Sequence, residues 1–225
     1  MVFVVTGTGT GIGKTHFSEA LLLSAGHAGL RAAGVKPIES GVSPCTLSDA
    51  ERLRAASTFH VKPFGYALPD PVSPHLAARI DGRTLRIDPI VAAIHDVQAE
   101  LDLLLVELPG GLFTPLTPSA LNVDLAAALR PDRLLLVAPD RLGVLHDVIA
   151  AARAARAHPL RIDGIVLVTP ESPDSATGHN AADIPSLTDG LPVVATIPRA
   201  SATCIAAAGA LRPCLPRCAH SLDRP

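Results

Sequence analysis

Short runs of apolar and β-branched residues alternate along this chain with Ala-rich stretches of helical period. The runs are Val2–Thr6, Ala32–Lys36, Leu101–Leu108, Arg133–Ala138, Gly164–Thr169 and Pro192–Ile197. Apolar and polar positions do not alternate within them, which predicts strands buried on both faces. The helical stretches are Lys14–Ala28, Asp49–Ser57, Pro89–Glu100, Asn122–Leu129, Val144–Ala157 and a weaker one at Ala200–Ala210. Strands alternating with helices predict an α/β fold, a mostly parallel sheet with helices on both faces. No repeat or linker breaks the pattern, so one domain is expected over residues 1–210. Residues 211–225 have no clear period and are expected to form an irregular, partly disordered tail. Pro-rich points at Pro69–Pro71, Pro109, Pro115, Pro118, Pro170 and Pro173 mark loops.

Composition narrows the class of partner. Hydrophobic residues are 48% of the 225 and charged residues 18%, enough to bury a core and against intrinsic disorder. A net charge of −2 with no Trp and one Tyr disfavours a basic, base-stacking nucleic-acid surface. The uncharged run Gly110–Val123 is too short for a membrane span and carries two prolines. The amino end has no basic segment of the signal-peptide kind. A soluble, cytoplasmic protein without nucleic-acid or membrane partners is therefore expected. Cys204, Cys214 and Cys218, followed by His220, lack the paired C-x2-C spacing of zinc modules. Those thiols and Cys45 read as solvent-facing or incidental, and a structural disulfide is not expected in a reducing compartment.

The strongest local signal is Gly7-Thr8-Gly9-Thr10-Gly11-Ile12-Gly13-Lys14-Thr15. It follows a predicted strand and opens a predicted helix, the context a phosphate-binding P-loop requires. Glycines let backbone amides turn toward an anion with no Cβ in the way. Lys14 would reach the β- and γ-phosphates, Thr15 would offer a hydroxyl to Mg²⁺, and the helix start favours negative charge. The loop is one residue longer than G-x4-G-K-[ST] when counted from Gly7. A dinucleotide fold reads less well, because Ile12 breaks the G-x-G-x-x-G spacing.

Further along, Lys36 ends the second predicted strand, at the edge where ligands bind in open α/β sheets. Glu107 ends an apolar strand ahead of Pro109-Gly110-Gly111, as the acid that holds Mg²⁺ does in P-loop proteins. A buried Glu there needs a cation or hydrogen-bond partner. Asp49 begins a helical stretch and by spacing alone reads as a first-turn acid. His16, His75 and His146 read by themselves as packing or surface residues.

Taken together, these segments resemble the dethiobiotin synthetase family. Gly7–Thr15 is similar to its G-T-x-T-x-V-G-K-T, with Ile12 for Val. Lys36-Pro37-Ile38-Glu39-Ser40-Gly41 resembles K-P-x-x-[ST]-G, and Ser48-Asp49-Ala50 its Ser-Asp-Ala. Val72-Ser73-Pro74-His75 resembles T-S-P-H. Val106–Gly111 with Phe113–Leu116 resembles V-E-G-A-G-G and the family's next few residues, and Leu142-Gly143 its L-G helix entry. The resemblance runs in order from about residue 1 to 200. It implies a P-loop NTPase fold and an ATP- and Mg²⁺-dependent ligase of biotin synthesis. That reaction joins CO₂ to 7,8-diaminononanoate through a carbamate and a carbamic-phosphoric anhydride, giving dethiobiotin, ADP and phosphate.

The resemblance also implies roles. Gly9, Thr10, Gly11, Ile12, Gly13, Lys14, Thr15 and His16 would bind nucleotide. Thr15, Asp49 and Glu107 would hold the metal. Lys36, Lys14 and Thr10 would be catalytic, and Thr10, Lys36, Ser40, Gly110 and Gly111 would meet the substrate. A homodimer is implied, with the partner's helix start at Gly143–His146 receiving the substrate carboxylate. Three departures stand out: Leu108-Pro109 within the acid motif, His146-Asp147 where the family has Asn-His, and Val168-Thr169 where many members carry a base-reading Asn-Asp. The departures leave room for a paralogue that binds nucleotide without turnover. The same P-loop architecture serves switch ATPases of the MinD and ParA kind, whose loops usually carry an additional lysine near their start; Thr6–Thr10 has none. A corrinoid amidotransferase-type synthetase needs a glutaminase portion, for which this chain is short.

Overall fold

The computed structural model describes residues 1–216. Six parallel strands form the central sheet: β1 (Val2–Gly7), β2 (Ala32–Val35), β5 (Leu103–Glu107), β6 (Arg133–Pro139), β7 (Gly164–Val168) and β8 (Val193–Ile197), in the order β2-β5-β1-β6-β7-β8. All six predicted strands are present. Every residue of β1, β5 and β7 is buried, as their unbroken apolar runs require for a sheet covered on both faces.

Two hydrophobic clusters lie on opposite faces of the sheet. One joins Phe3, Val5, Leu103 and Leu105 to Phe17, Leu21 and Leu22 of α1 (Lys14–His27), Leu53 of α2 (Asp49–Ala56) and Ile205 of α8 (Ala202–Ala207). The other joins Val4, Leu104 and Leu136 to α3 (Pro74–Ile80), α4 (Ile87–Gln98), α5 (Asn122–Leu129), α6 (Val144–Ala155) and α7 (Asn180–Leu187). Alternate residues of one strand thus serve opposite cores. The β2 edge is covered: Thr58 and Phe59 amides donate to Ala32 O, and the Gly34 amide donates to Ser57 Oγ.

Four elements are additional to the predicted set. β3 (Ile38–Ser40) and β4 (Tyr66–Leu68) pair parallel as a small separate sheet. Three residues each are too few to show a period. α3 starts at a proline, and α7 holds Pro185 in its interior, a residue that argues against a helix by itself. The expected tail is corrected over its described part. Leu211 and Cys214 are buried against the α1 face, around a single 3-10 turn at Arg212–Cys214. Cys214 is therefore a core residue, while Cys45 and Cys204 are exposed; all three are free thiols. Cys218 and His220 lie outside the described residues. Among the described residues no helix is long and apolar enough to cross a membrane.

Candidate active site

β1 is central and its neighbours β5 and β6 leave it on opposite sides, so the loop after it opens where the strand order diverges. The Thr8 amide donates to Val137 O at 3.0 Å and fixes the loop's root. Gly13 ends the loop in the left-handed region, φ 93°. A Cβ on it would stand 2.7 Å from Val168 Cγ1, so glycine is required by both backbone and space. α1 then begins with no side-chain cap and no acid in its first turn. Its first amides are left for an anion, as a phosphate cradle needs. Lys14 is 5% exposed, and its Nζ donates to Gly9 O at 2.7 Å, folding the side chain back over the loop. Burial lowers its pKa to about 8; repulsion from Lys36 adds to this, and Glu107 and Asp49 oppose it.

Beneath the loop lies a buried ionic cluster. Val5 pairs with Glu107 across β1 and β5, which brings the end of β5 under the P-loop. Glu107 is wholly buried and its carboxylate accepts from three side chains: Thr15 Oγ1 at 2.8 Å, Ser18 Oγ at 2.8 Å and Lys36 Nζ at 2.9 Å. Lys36 Nζ also donates to Asp49 Oδ2 at 2.5 Å. Burial disfavours the Lys36 ammonium, but the Glu107 and Asp49 carboxylates outweigh it and raise its pKa. Burial likewise works against the Asp49 carboxylate, yet Lys36, with help from Thr15 and Arg52, holds its pKa below the usual value.

Asp49 opens α2, as its spacing suggests, and its carboxylate turns inward to the Lys36 ammonium. The α2 start is freed from needing Asp49 as a cap. Ser48 and Glu51 form a reciprocal capping box, and Glu39 accepts from the Asp49 and Ala50 amides at 2.7 and 3.0 Å. Arg52 grips Glu19 of α1 through two hydrogen bonds and approaches Asp49 Oδ1 at 3.4 Å, locking α2 against α1.

One hydroxyl and two carboxylates converge here, an all-oxygen donor set. It suits Mg²⁺, which takes few protein ligands and leaves positions for water and substrate phosphates. Thr15, Asp49 and Glu107 thus fit the metal that the sequence implied. Ser40 ends β3 with its hydroxyl buried and without a hydrogen-bond partner among the described residues, an unspent donor beside Lys36's strand end. Thr10 is exposed at the crest of the P-loop.

The Gly110–Gly111 turn sits against the P-loop's root. A Cβ on Gly111 would lie 3.2 Å from Gly7 O, tighter than an ordinary contact, so glycine eases the close approach of the two backbones. The Gly111 amide is spent on Thr114 Oγ1 at 2.8 Å and is not free for a ligand. Buried Asn122 spans the turn, its Nδ2 donating to Pro109 O and Gly111 O. The sequence pointed to neither Asn122 nor Ser18, Glu39 or Arg52. Ser18 had a signal, its position one helical turn beyond Thr15; Asn122 had none. Val168, at the end of β7, packs on Gly13 beside the loop, whereas His146 is exposed on α6.

A family model described as an AAA domain matches residues 2–204. The chain is 41% identical over 190 residues to the ATP-dependent dethiobiotin synthetase of Anaeromyxobacter dehalogenans, covering 82% of this chain and 84% of that one. It is 35% identical to the enzyme of the same description from Streptomyces coelicolor, covering 94% and 87%. The chain belongs to the dethiobiotin synthetase family. Among solved structures it is similar to the septum site-determining protein MinD of Pyrococcus horikoshii, complexed with Mg-ADP (TM-score 0.54, 19% identity, 96% and 86% covered). A ParA family ATPase of Chlorobium tepidum is similar too (TM-score 0.55, 14% identity, 94% and 91% covered). That likeness is one of fold: the P-loop NTPase architecture is shared, while the sequence relationship lies with the synthetases.

Proposed function

We propose that the protein is a cytoplasmic dethiobiotin synthetase: it joins CO₂ to 7,8-diaminononanoate at the expense of ATP and closes the ureido ring. One observation carries the reading. An uncapped helix start bearing Lys14 adjoins a largely buried Thr15–Asp49–Glu107 oxygen set, Asp49 its half-exposed member, whose two acids are bridged by Lys36. Phosphate, metal and an acid derived from an amine can all be held within that space.

One substrate amine adds to CO₂ and loses a proton, giving a carbamate. A carbamate oxygen attacks the γ-phosphorus and ADP departs. The second amine attacks the carbamoyl carbon of the mixed anhydride and loses a proton, phosphate leaves with the C–O bond's electrons, and the ring closes. Positioning and charge stabilisation supply most of the catalysis. Mg²⁺ on Thr15, Asp49 and Glu107 would neutralise charge on the β- and γ-phosphates. Lys14 clamps the transferring phosphoryl group. Lys36 has three N–H donors and spends two on Asp49 and Glu107, leaving one for the carbamate oxygen. Ser40's unpartnered hydroxyl and Thr10 complete the polar contacts. The Gly110–Gly111 turn, pinned by Thr114, would form the wall beside the substrate. In a homodimer, the α6 start at Gly143 of one subunit, which has no side-chain cap, would receive the substrate carboxylate held by the other.

The test is one assay: purified protein, diaminononanoate, bicarbonate, Mg²⁺ and each nucleoside triphosphate, with dethiobiotin followed by mass spectrometry. Dethiobiotin formed in step with nucleoside diphosphate supports the reading. Nucleotide binding with no product over any triphosphate would replace it with that of a binding paralogue.

A further inference from the structure

The two acids of the oxygen set are held in different ways. Glu107 is wholly buried, and Thr15, Ser18 and Lys36 fix its two oxygens. The Asp49 side chain is 30% exposed, so burial does less to place it. Asp49 is the first residue of α2, and where its carboxylate lies depends on where that helix begins.

Glu39 fixes that start. It lies on β3, is 9% exposed, and turns to the face of the strand opposite Ser40. Its Oε1 accepts from the Asp49 amide at 2.7 Å and its Oε2 from the Ala50 amide at 3.0 Å. Both oxygens thus grip consecutive amides of the first turn, where the helix dipole favours negative charge. α2 does not need that grip in order to form. Ser48 Oγ accepts from the Glu51 amide and the Glu51 carboxylate accepts from the Ser48 amide, a closed capping box. What Glu39 adds is location. It fastens α2 to β3, and only Pro37 separates β3 from Lys36. On its other side the same helix is fastened to α1 by Arg52 and Glu19. The K-P-x-x-[ST]-G pattern leaves position 39 open.

We propose that Glu39 is a positioning residue for the divalent-cation set. Acting through the α2 start, it holds the Asp49 carboxylate beside the Glu107 oxygen that Thr15 and Lys36 share. The proposal rests on the reading that Thr15, Asp49 and Glu107 hold Mg²⁺.

The probe is Mn²⁺ in place of Mg²⁺, titrated into the full chain with saturating ADP and followed by electron paramagnetic resonance. Glu39→Ala should weaken Mn²⁺ about tenfold, the usual effect of freeing a metal ligand from the group that orients it. Glu39→Gln removes the same charge but keeps one acceptor for the Asp49 amide, and should lie nearer the wild type. ADP affinity measured in EDTA reads the P-loop without metal and should be the same in both variants as in the wild type. Mn²⁺ affinity untouched by Glu39→Ala overturns the proposal. Equal losses in the two variants also overturn it, because charge alone would then explain them. So does a loss of metal-free ADP affinity as large as that for Mn²⁺, which would make Glu39 a fold residue only. Asp49→Asn tests the underlying reading: if it leaves Mn²⁺ affinity unchanged, the metal set itself is wrong and the proposal falls with it.

Discussion

Lys36, just past the end of β2, and Glu107, at the end of the adjacent β5, meet at 2.9 Å, the acid wholly buried and the lysine side chain nearly so. Each charge is tolerable only because of the other. Lys36→Gln should therefore act in two ways. It leaves Glu107 buried with only Thr15 and Ser18 to satisfy it, at a cost of about 3–5 kcal/mol in stability. It also removes the ammonium proposed to face the carbamate, so kcat should fall about a hundredfold or more with a much smaller change in nucleotide affinity. Steady-state kinetics and equilibrium nucleotide binding check this; a loss confined to nucleotide affinity would move Lys36 out of the chemistry.

Lys14 makes the opposite trade. Its folded-state pKa of about 8 lies below the 10.5 of an unfolded chain, so its buried charge opposes folding at neutral pH. Below pH 8 the residue is protonated in both states and the penalty is fully present. Between pH 8 and 10.5 the unfolded chain binds more protons, so this contribution to stability rises with pH. In the nucleotide-free protein, Lys14→Met should raise stability by about 1–3 kcal/mol at pH 7, after the lost bond to Gly9 O is allowed for. The advantage should vanish toward pH 10.5. Urea unfolding of both proteins at about pH 7 and about pH 10 reads the difference, and the variant should no longer turn over nucleotide.

Much of this site is legible in the sequence because P-loop chemistry is local. Gly13, Lys14 and Thr15 are consecutive, and Lys36 and Glu107 each end an apolar strand whose burial its own composition announces. Parallel pairing then fixes where those ends meet. The features that the sequence hides depend on partners far away in the chain. Asn122 is an ordinary helix-start residue until Pro109 and Gly111 come within reach of its amide. Asp49 looks like a dipole-favouring acid until Ser48 and Glu39 prove to satisfy the α2 start without it. α7 is hidden by Pro185, and β3 and β4 by their brevity; in each case tertiary packing overrides a weak local preference. The buried start of the tail gives no periodic signal because Leu211 and Cys214 fill the α1 face as single residues.

Cys45, Cys204 and Cys214 should separate by burial. Desolvation pushes the Cys214 pKa up, Arg133 opposing only in part, whereas Cys45 and Cys204 are exposed. The thiolate is the reactive form, so iodoacetamide at about pH 8 should label Cys45 and Cys204 rapidly and Cys214 only as the protein unfolds. Peptide mass spectrometry over a denaturant series checks the order. Early labelling of Cys214 would show that the 211–215 segment leaves the core readily.

Val168 brings an apolar side chain to the P-loop's flank, packed on Gly13, where the family resemblance leads one to look for an amide that reads the base. A branched hydrocarbon cannot distinguish donor and acceptor patterns on a base edge. The KM values of ATP, GTP and CTP should then lie within about tenfold of one another, since a site without a dedicated hydrogen bond discriminates weakly. A strong preference for ATP would locate base recognition in another element.

Asn122 offers the most direct test of how the acid loop is held. Its Nδ2 donates to both Pro109 O and Gly111 O, while its Oδ1 is buried and unpaired among the described residues. The residue thus accepts the burden of one unsatisfied oxygen to pin a turn that Pro109 and Gly110 alone do not define. Asn122→Ala leaves the Pro109 carbonyl without a donor, while Gly111 O keeps the Thr114 amide, and should cost about 1–3 kcal/mol in stability. The larger consequence is positional. Gly111 contacts the root of the P-loop, so a released turn shifts the surface proposed to meet the substrate while Lys14 and Thr15 stay in place. The KM for diaminononanoate should rise and kcat fall, with nucleotide affinity nearly unchanged. Asn122→Asp, which keeps the shape but replaces the donors with an acceptor, should be worse than Ala by both measures, because it sets a charge against two carbonyl oxygens.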